Sequence, residues 1–222
     1  MLLARRLGYV QLAEPERFAS DWERDATLRL RSGDVTVLTD YEEHGRLRGG
    51  TPEEAVEQAY RGWLTDYLAG LDSVLIARTT EQARELSRRA RDDLIRYGRA
   101  TPGPQVRLAA GEQASTGDLI TARRNNSHVQ AGEPARDLAN RDLLQVTAIP
   151  APAGPNPARI EVRRFVDRDP DTGAMRWSAP FTVTRRYLAS HASLGYATTA
   201  HAAQGRTTDT AHVLVDGLAD RC

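Results

Sequence analysis

The stretch Gly195 to Thr207, GYATTAHAAQGRT, gathers hydroxyl, imidazole, amide and glycine groups just before DTAHVLVD, which reads as a buried strand. Short hydroxyl and imidazole donors at a strand edge suit backbone phosphates, because they bind anionic oxygen without reading a base. Thr199 and His201 are therefore candidate phosphate contacts. Gln204 and Gly205 form a second pair, since a residue without a Cβ lets the main chain come close to a phosphate. Arg78, Thr79 and Thr80 stand between an apolar run and a helical pattern, where free N–H groups point at a ligand. Either threonine equally suits a helix cap. Arg123, Arg124 and Asn125 end another strand-like run; they could grip phosphate or form a solvated hairpin tip. Arg163-Arg164 and Arg185-Arg186 read as exposed charge on strand faces. Arg88, Arg89 and Arg91, alternating with Asp92 and Asp93, read as a solvated helix face. His212 reads as structural.

The totals narrow the chemistry. The chain has 222 residues, no formal net charge, 40% hydrophobic and 27% charged residues. A polyanion partner must therefore be argued from local clusters. All 30 basic residues are Arg, so Schiff-base lysines and a Gly-Lys-Ser/Thr phosphate loop are excluded. The single Cys, Cys222, excludes an intrachain disulfide and argues against a thiolate metal site. No transmembrane-length apolar run or leader pattern occurs, and a cytoplasmic location is expected.

Periodicity gives the elements that must position these groups. Residues 14–31, 51–70 and 79–98 read as helices. The second has Thr51 as cap, Pro52 in the first turn and Glu54 completing a capping box. Phe18, Trp22, Trp63 and Tyr67 lie on the apolar stripes and read as core. Residues 34–40, with Asp40 at the end, 73–77, 117–126 and 210–216 read as strands. The join of 73–77 to 79–98 is an α/β unit. Residues 99–116 read as loop and 127–137 as linker. Residues 142–149, 158–167, 174–178 and 181–188 read as antiparallel strands, with a bulge at Arg163-Arg164. Trp177 reads as packing rather than a base platform. The expected organisation is an α/β domain over 1–126 and 189–222, interrupted by a small antiparallel β-barrel over 127–188.

GYATTAHAAQG resembles the fifth motif of superfamily-1 helicases of 5′-to-3′ polarity, most of all that of MobF-type conjugative relaxase–helicases. The match runs through Gly195, Tyr196, Ala197, Thr199, His201, Gln204 and Gly205. ERFASDWERDATLRLRSGD with YEEHGRLRGG, VLIARTTEQARELSRRARDDLIRYG, and GDLITARRNN are similar to further family segments in the same order. The resemblance implies a RecA-like second motor domain, with a parallel sheet, flanking helices and a β-barrel insert. It implies single-stranded DNA on Arg78, Thr79, Thr80, Arg123, Asn125, Thr199 and His201, and nucleotide near Gln204 and Gly205. It also implies a γ-phosphate finger at Arg17. ATP and Mg2+ serve the family, but without the lysine loop this chain is expected to bind neither alone and not to be an autonomous ATPase. It looks like a fragment cut at both ends, with the first motor domain a possible partner in trans. An unpaired sheet edge after 210–216 and marginal stability are expected.

Two other readings stay open. One is a non-catalytic single-stranded DNA-binding or partner-docking module that works with a separately encoded ATPase half. The other is a small unrelated enzyme, for which no G-x-S-x-G elbow or HExxH motif speaks.

Overall fold

The computed structural model describes residues 20–151, 159–169 and 171–215. Arg17, Phe18 and Cys222 lie outside the described residues. The chain divides into two compact units between Ala55 and Val56.

The first unit holds α1 (Asp21–Arg31) and α2 (Val37–Glu43). The second helix replaces the strand expected over 34–40. Asp34 decides this locally: its Oδ1 accepts from the Thr36 N–H at 3.0 Å and from the Thr36 hydroxyl at 2.6 Å. That turn outweighs the β preference of Val35, Thr36 and Val37. Asp40 is a helical residue paired with Arg29 rather than a strand end. Trp22 is half-buried, stacked on His44 at 3.8 Å with Tyr41 edge-on at 5.4 Å.

Helix α3 (Pro52–Leu68) starts with the expected capping box: Thr51 N–H meets Glu54 Oε2 at 2.8 Å, and Glu54 N–H meets Thr51 Oγ1 at 3.2 Å. In the second unit β1 (Ser73–Ala77) and α4 (Thr80–Arg96) follow as read. Residues 99–116 contain a short ribbon, β2 (Val106–Arg107) with β3 (Gln113–Ala114), closed by a 3-10 turn at Ala109–Gly111. The remaining elements are β4 (Leu119–Ala122), β5 (Asn126–Gln130), β6 (Asp137–Leu138), β7 (Leu143–Ala148), β8 (Arg159–Arg168), β9 (Met175–Trp177), β10 (Phe181–Thr184), α5 (Arg185–His191), β11 (Ala192–Leu194), β12 (Ala197–Thr199), α6 (Ala200–Ala203) and β13 (Thr210–Val213). The expected linker thus carries the paired strands β5 and β6.

The strands form two main sheets. One is parallel and three-stranded, in the order β12-β1-β13. The other is antiparallel and six-stranded, in the order β10-β8-β7-β4-β11, with β9 on β8. Its members β4 and β11 lie outside the stretch 127–188. The chain is thus mixed α/β, with a parallel and an antiparallel sheet.

Two details of the antiparallel sheet differ from expectation. The strand expected over 181–188 stops at Thr184, whose Oγ1 accepts from Tyr187 N–H at 3.1 Å and caps α5. Arg185 and Arg186 are therefore helical. The alternation of β8 also does not slip at Arg163-Arg164: Ile160, Val162 and Arg164 are all buried. Arg164 takes a core position because its guanidinium donates to the carbonyls of Ala131 at 3.2 Å, Pro134 at 2.9 Å and Phe165 at 3.3 Å. The register irregularity on this strand falls later, between Phe165 and Asp167.

Tryptophan and tyrosine side chains of α3 anchor the parallel sheet. Trp63 is buried and donates its Nε1–H to Ser73 O at 3.2 Å, while Tyr67 packs partly buried against the core. His212 is structural, as read: its Nε2 lies 2.8 Å from Asp66 Oδ2. A Cβ on Gly62 would come within 2.5 Å of the imidazole, so this glycine lets α3 approach β13. Burial raises the Asp66 carboxyl, but hydrogen bonds from His212 and Thr210 outweigh it and hold the group below its ordinary 3.8. The stabilisation is present above pH 3.8 and fades as pH falls through the lower folded value. Asp66→Asn is expected to flatten the acid limb of melting temperature against pH; an identical limb in both chains would contradict this.

Candidate nucleic-acid interface

The C-terminal ends of β1 and β12 lie side by side, with Ala77 opposite Thr199. The chain therefore leaves the sheet at two adjacent points, Arg78-Thr79-Thr80 and Thr199-Ala200-His201. The space beyond the carboxyl ends of parallel strands is where open α/β sheets hold ligands. Thr79 caps α4, accepting from Gln82 N–H at 3.1 Å, and Gln82 Oε1 accepts from Arg78 N–H at 3.0 Å. The cap leaves the N–H groups of Thr80 and Glu81 unengaged by it, at the positive end of a 17-residue helix. Thr79, Thr80 and His201 are exposed, and Thr199 is half-buried.

A basic cluster continues from this crest. Arg84 lies one turn along α4 from Thr80, and Arg88 one turn further. Arg123 follows β4; its N–H donates to His191 O at 2.7 Å and its Nε–H to Ser193 Oγ at 2.8 Å. Burial pushes the Arg123 guanidinium down, Glu112 pushes it up, and Arg84 and Arg141 push it down again, so these groups share one field. Arg141, at φ 75, sends NH2 to within 3.1 Å of His201 Nε2. A guanidinium only donates, so in this contact His201 Nε2 is the acceptor. Asn125 is exposed, and its Oδ1 accepts from Asn140 N–H at 2.6 Å, which fixes the turn that carries Arg141.

The structure thus brings Thr79, Thr80, Thr199 and His201 to one edge, and Arg141 joins Arg123 to them. Arg78 is exposed at the same edge. Gln204 and Gly205 lie just past α6. Gln204 at φ −53, ψ 131 and Gly205 at φ 85 form a type II turn closed by Arg206 N–H to Ala203 O at 3.0 Å. The next side chain, Arg206, reaches Asp72 at the start of β1 at 2.7 Å. Open space surrounds Gly205, where a Cβ would meet nothing within 4 Å. Among the described residues no group of three His, Cys, Asp or Glu side chains is placed to hold a metal. Also among them, no helix is long and apolar enough to cross a membrane.

The first residues of the motif are architectural. A Cβ on Gly195 would meet Leu143 Cδ1 at 2.9 Å, Thr121 Oγ1 at 3.0 Å and the Ile120 carbonyl carbon at 3.3 Å, so a side chain here would force Leu143 and Thr121 to shift. Tyr196 is buried, and its hydroxyl donates to Asp118 Oδ1 at 2.7 Å while accepting from Leu119 N–H at 3.2 Å. Ala197 N–H donates to Ser87 Oγ on α4 at 3.0 Å. Together they tie the crest to the antiparallel sheet and to α4.

The pairs read as solvated charge divide. Arg163 binds Gln145 Oε1 at 2.9 and 2.6 Å and lies over the half-buried Trp177 at 4.9 Å. Arg89 covers Tyr60 at 3.8 Å and pairs with Glu57 at 2.7 Å. Arg91, however, is buried and pairs with Asp118 at 2.7 Å.

Sequence reading missed Arg84, Arg141 and Glu112. The i, i+4, i+8 spacing of Thr80, Arg84 and Arg88 was a usable signal. Nothing local marks Arg141, which owes its place to a turn.

No family model matches the chain. It is 31% identical over 219 residues to "Conjugal transfer protein TraA" of Agrobacterium fabrum, covering 97% of this chain. It is 28% identical over 222 residues to the protein of the same name from Rhizobium radiobacter, and 26% identical over 227 residues to "Probable conjugal transfer protein TraA" of Sinorhizobium fredii. The chain spans 18% of the length of each of these relatives.

Proposed function

We propose that the chain contributes the single-stranded DNA grip of the helicase part of a conjugative relaxase, of the MobF kind, as a RecA-like second motor domain. The names of the relatives support conjugal transfer, and their matches run nearly the whole of this chain. The observation that carries the DNA reading is the convergence of Thr79, Thr80, Thr199 and His201 at one sheet edge, continued by Arg141 and Arg123. Hydroxyls, helix N–H groups and arginines are the donors that hold phosphate without reading bases. The location would be cytoplasmic.

Nucleotide chemistry is assigned to a partner lobe, because no lysine is present to complete a phosphate loop. Gln204 and Gly205 would touch ATP and its Mg2+ only from outside, with Arg17 as a further contact. The rival reading, a non-catalytic single-stranded DNA-binding or partner-docking module, uses the same edge and differs in working with a separately encoded ATPase half.

The test is fluorescence anisotropy of a labelled oligothymidine. Binding is expected to be saturable and salt-sensitive, and His201→Ala is expected to weaken it about fivefold. Unchanged affinity in a His201→Ala chain that melts like the native one would remove this edge from the DNA path.

A further inference from the structure

Beneath the basic cluster lies a carboxylate that the DNA reading does not use. Glu112 is only 5% exposed. Its Oε2 accepts from Leu194 N–H at 3.1 Å, one residue beyond the Ser193 that binds Arg123. Its Oε1 is buried and has no hydrogen-bond partner. Such an atom is unusual, since buried polar groups are nearly always satisfied. Arg84, Arg123 and Arg88 act on this carboxylate through space, without a hydrogen bond to it. Burial raises its pKa above the ordinary 4.5, while the Leu194 N–H and the three arginines draw it back. The arginines stay reachable: the Arg84 side chain is 38% exposed, Arg88 is exposed, and Arg123 is exposed as a residue while burial lowers its guanidinium pKa.

We infer that Glu112 is an internal anion that competes with DNA phosphate for Arg84, Arg88 and Arg123, and so loosens the grip. The inference rests on the reading that this edge holds single-stranded DNA. The physics is direct. A buried negative charge lets guanidinium groups gather around it, because it offsets their mutual repulsion. It forms no direct pair that would lock them. A phosphate arriving above the arginines meets their attraction less the repulsion of Glu112. That repulsion is poorly screened, since the carboxylate is out of solvent. A chain that must release one phosphate to take the next needs a grip of limited strength, and a fixed counter-charge supplies that limit.

The test compares native chain, Glu112→Gln, Glu112→Ala and Glu112→Asp, by anisotropy of a fluorescein-labelled oligothymidine, with a thermal melt of each. Glutamine keeps an oxygen for Leu194 N–H and removes the charge. It is expected to bind about fivefold tighter at low salt, with the gain shrinking at high salt. Glu112→Ala is expected to gain as well, and Glu112→Asp, which keeps the charge, to gain nothing. In an Arg84→Ala/Arg123→Ala background the gain from Glu112→Gln is expected to shrink, with Arg88 left as the one arginine of the three. Equal or weaker binding by both neutral variants, when at least one melts like the native chain, overturns the inference and leaves the DNA reading standing. If no chain binds, the DNA reading fails and takes the inference with it.

Discussion

Asp118→Ala is expected to destabilise the second unit by about 3–5 kcal/mol, the usual result of removing one partner from a buried ion pair. Asp118 is fully buried. It accepts from Arg91 Nε at 2.7 Å, from Ser115 N–H at 2.7 Å, from the Ser115 hydroxyl at 3.1 Å and from the Tyr196 hydroxyl at 2.7 Å. These donors come from α4, from the approach to β4 and from the start of the GYATT segment. One carboxylate therefore joins the parallel sheet, its helix and the antiparallel sheet. Without it, the Arg91 guanidinium would lie buried with only Ser115 Oγ at 2.8 Å as partner. Burial and Asp118 push the Tyr196 hydroxyl well above its ordinary 10, so it remains a donor across the working pH range. The expected fall in melting temperature is about 10 °C for a domain of this size. Tyr196→Phe removes both the donor to Asp118 and the acceptor of Leu119 N–H, and is expected to cost about 1–3 kcal/mol. Urea or thermal melts of both variants check this. An Asp118→Ala chain that melts within about 2 °C of the native one would mean that the network contributes nothing.

The second large effect concerns DNA. Arg84→Ala combined with Arg123→Ala is expected to reduce affinity for oligothymidine at low salt by about tenfold or more. Each phosphate contact on a single strand contributes about 0.7 to the slope of log affinity against log salt, so the slope should shrink by about 1.4. The Arg163 pair on the antiparallel sheet makes a useful control, because its guanidinium is already engaged by Gln145 and Trp177. Arg163→Gln is expected to leave the slope unchanged. A double variant at the crest with a native slope would show that Arg84 and Arg123 touch no phosphate.

How far the sequence was legible follows the range of the forces involved. The strand at Ser73–Ala77, the cap at Thr79 and the box between Thr51 and Glu54 are local features, and each forms as read. The strand expected over 34–40 fails because one aspartate turn redirects a β-branched run. The strand expected over 181–188 is cut for a similar reason by the Thr184 cap. Arg91 and Arg164 were read as solvated because arginine is rarely buried. Their burial depends on Asp118, Ser115 and the loop carbonyls of Ala131 and Pro134, all distant in sequence. Arg91 did carry a faint signal, since it shares the helix face of Ser87 and Leu94, both buried. Thr199 and His201 are singled out by spacing, and they lie at the carboxyl end of the β1–β12 pair. Gly195 and Tyr196 belong to the same stretch but work in packing, which spacing cannot distinguish. Arg141 and Glu112 enter through a turn and a sheet edge, so only three dimensions reveal them.

The measurement that bears most directly on the central claim is the affinity of the native chain for labelled oligothymidine across a range of salt concentrations. Saturable binding whose logarithm falls linearly with log salt, with a slope of about −2 or steeper, is the expected result for three or more phosphates held at the β1–β12 edge. A well-folded chain that shows no binding at low salt would contradict it.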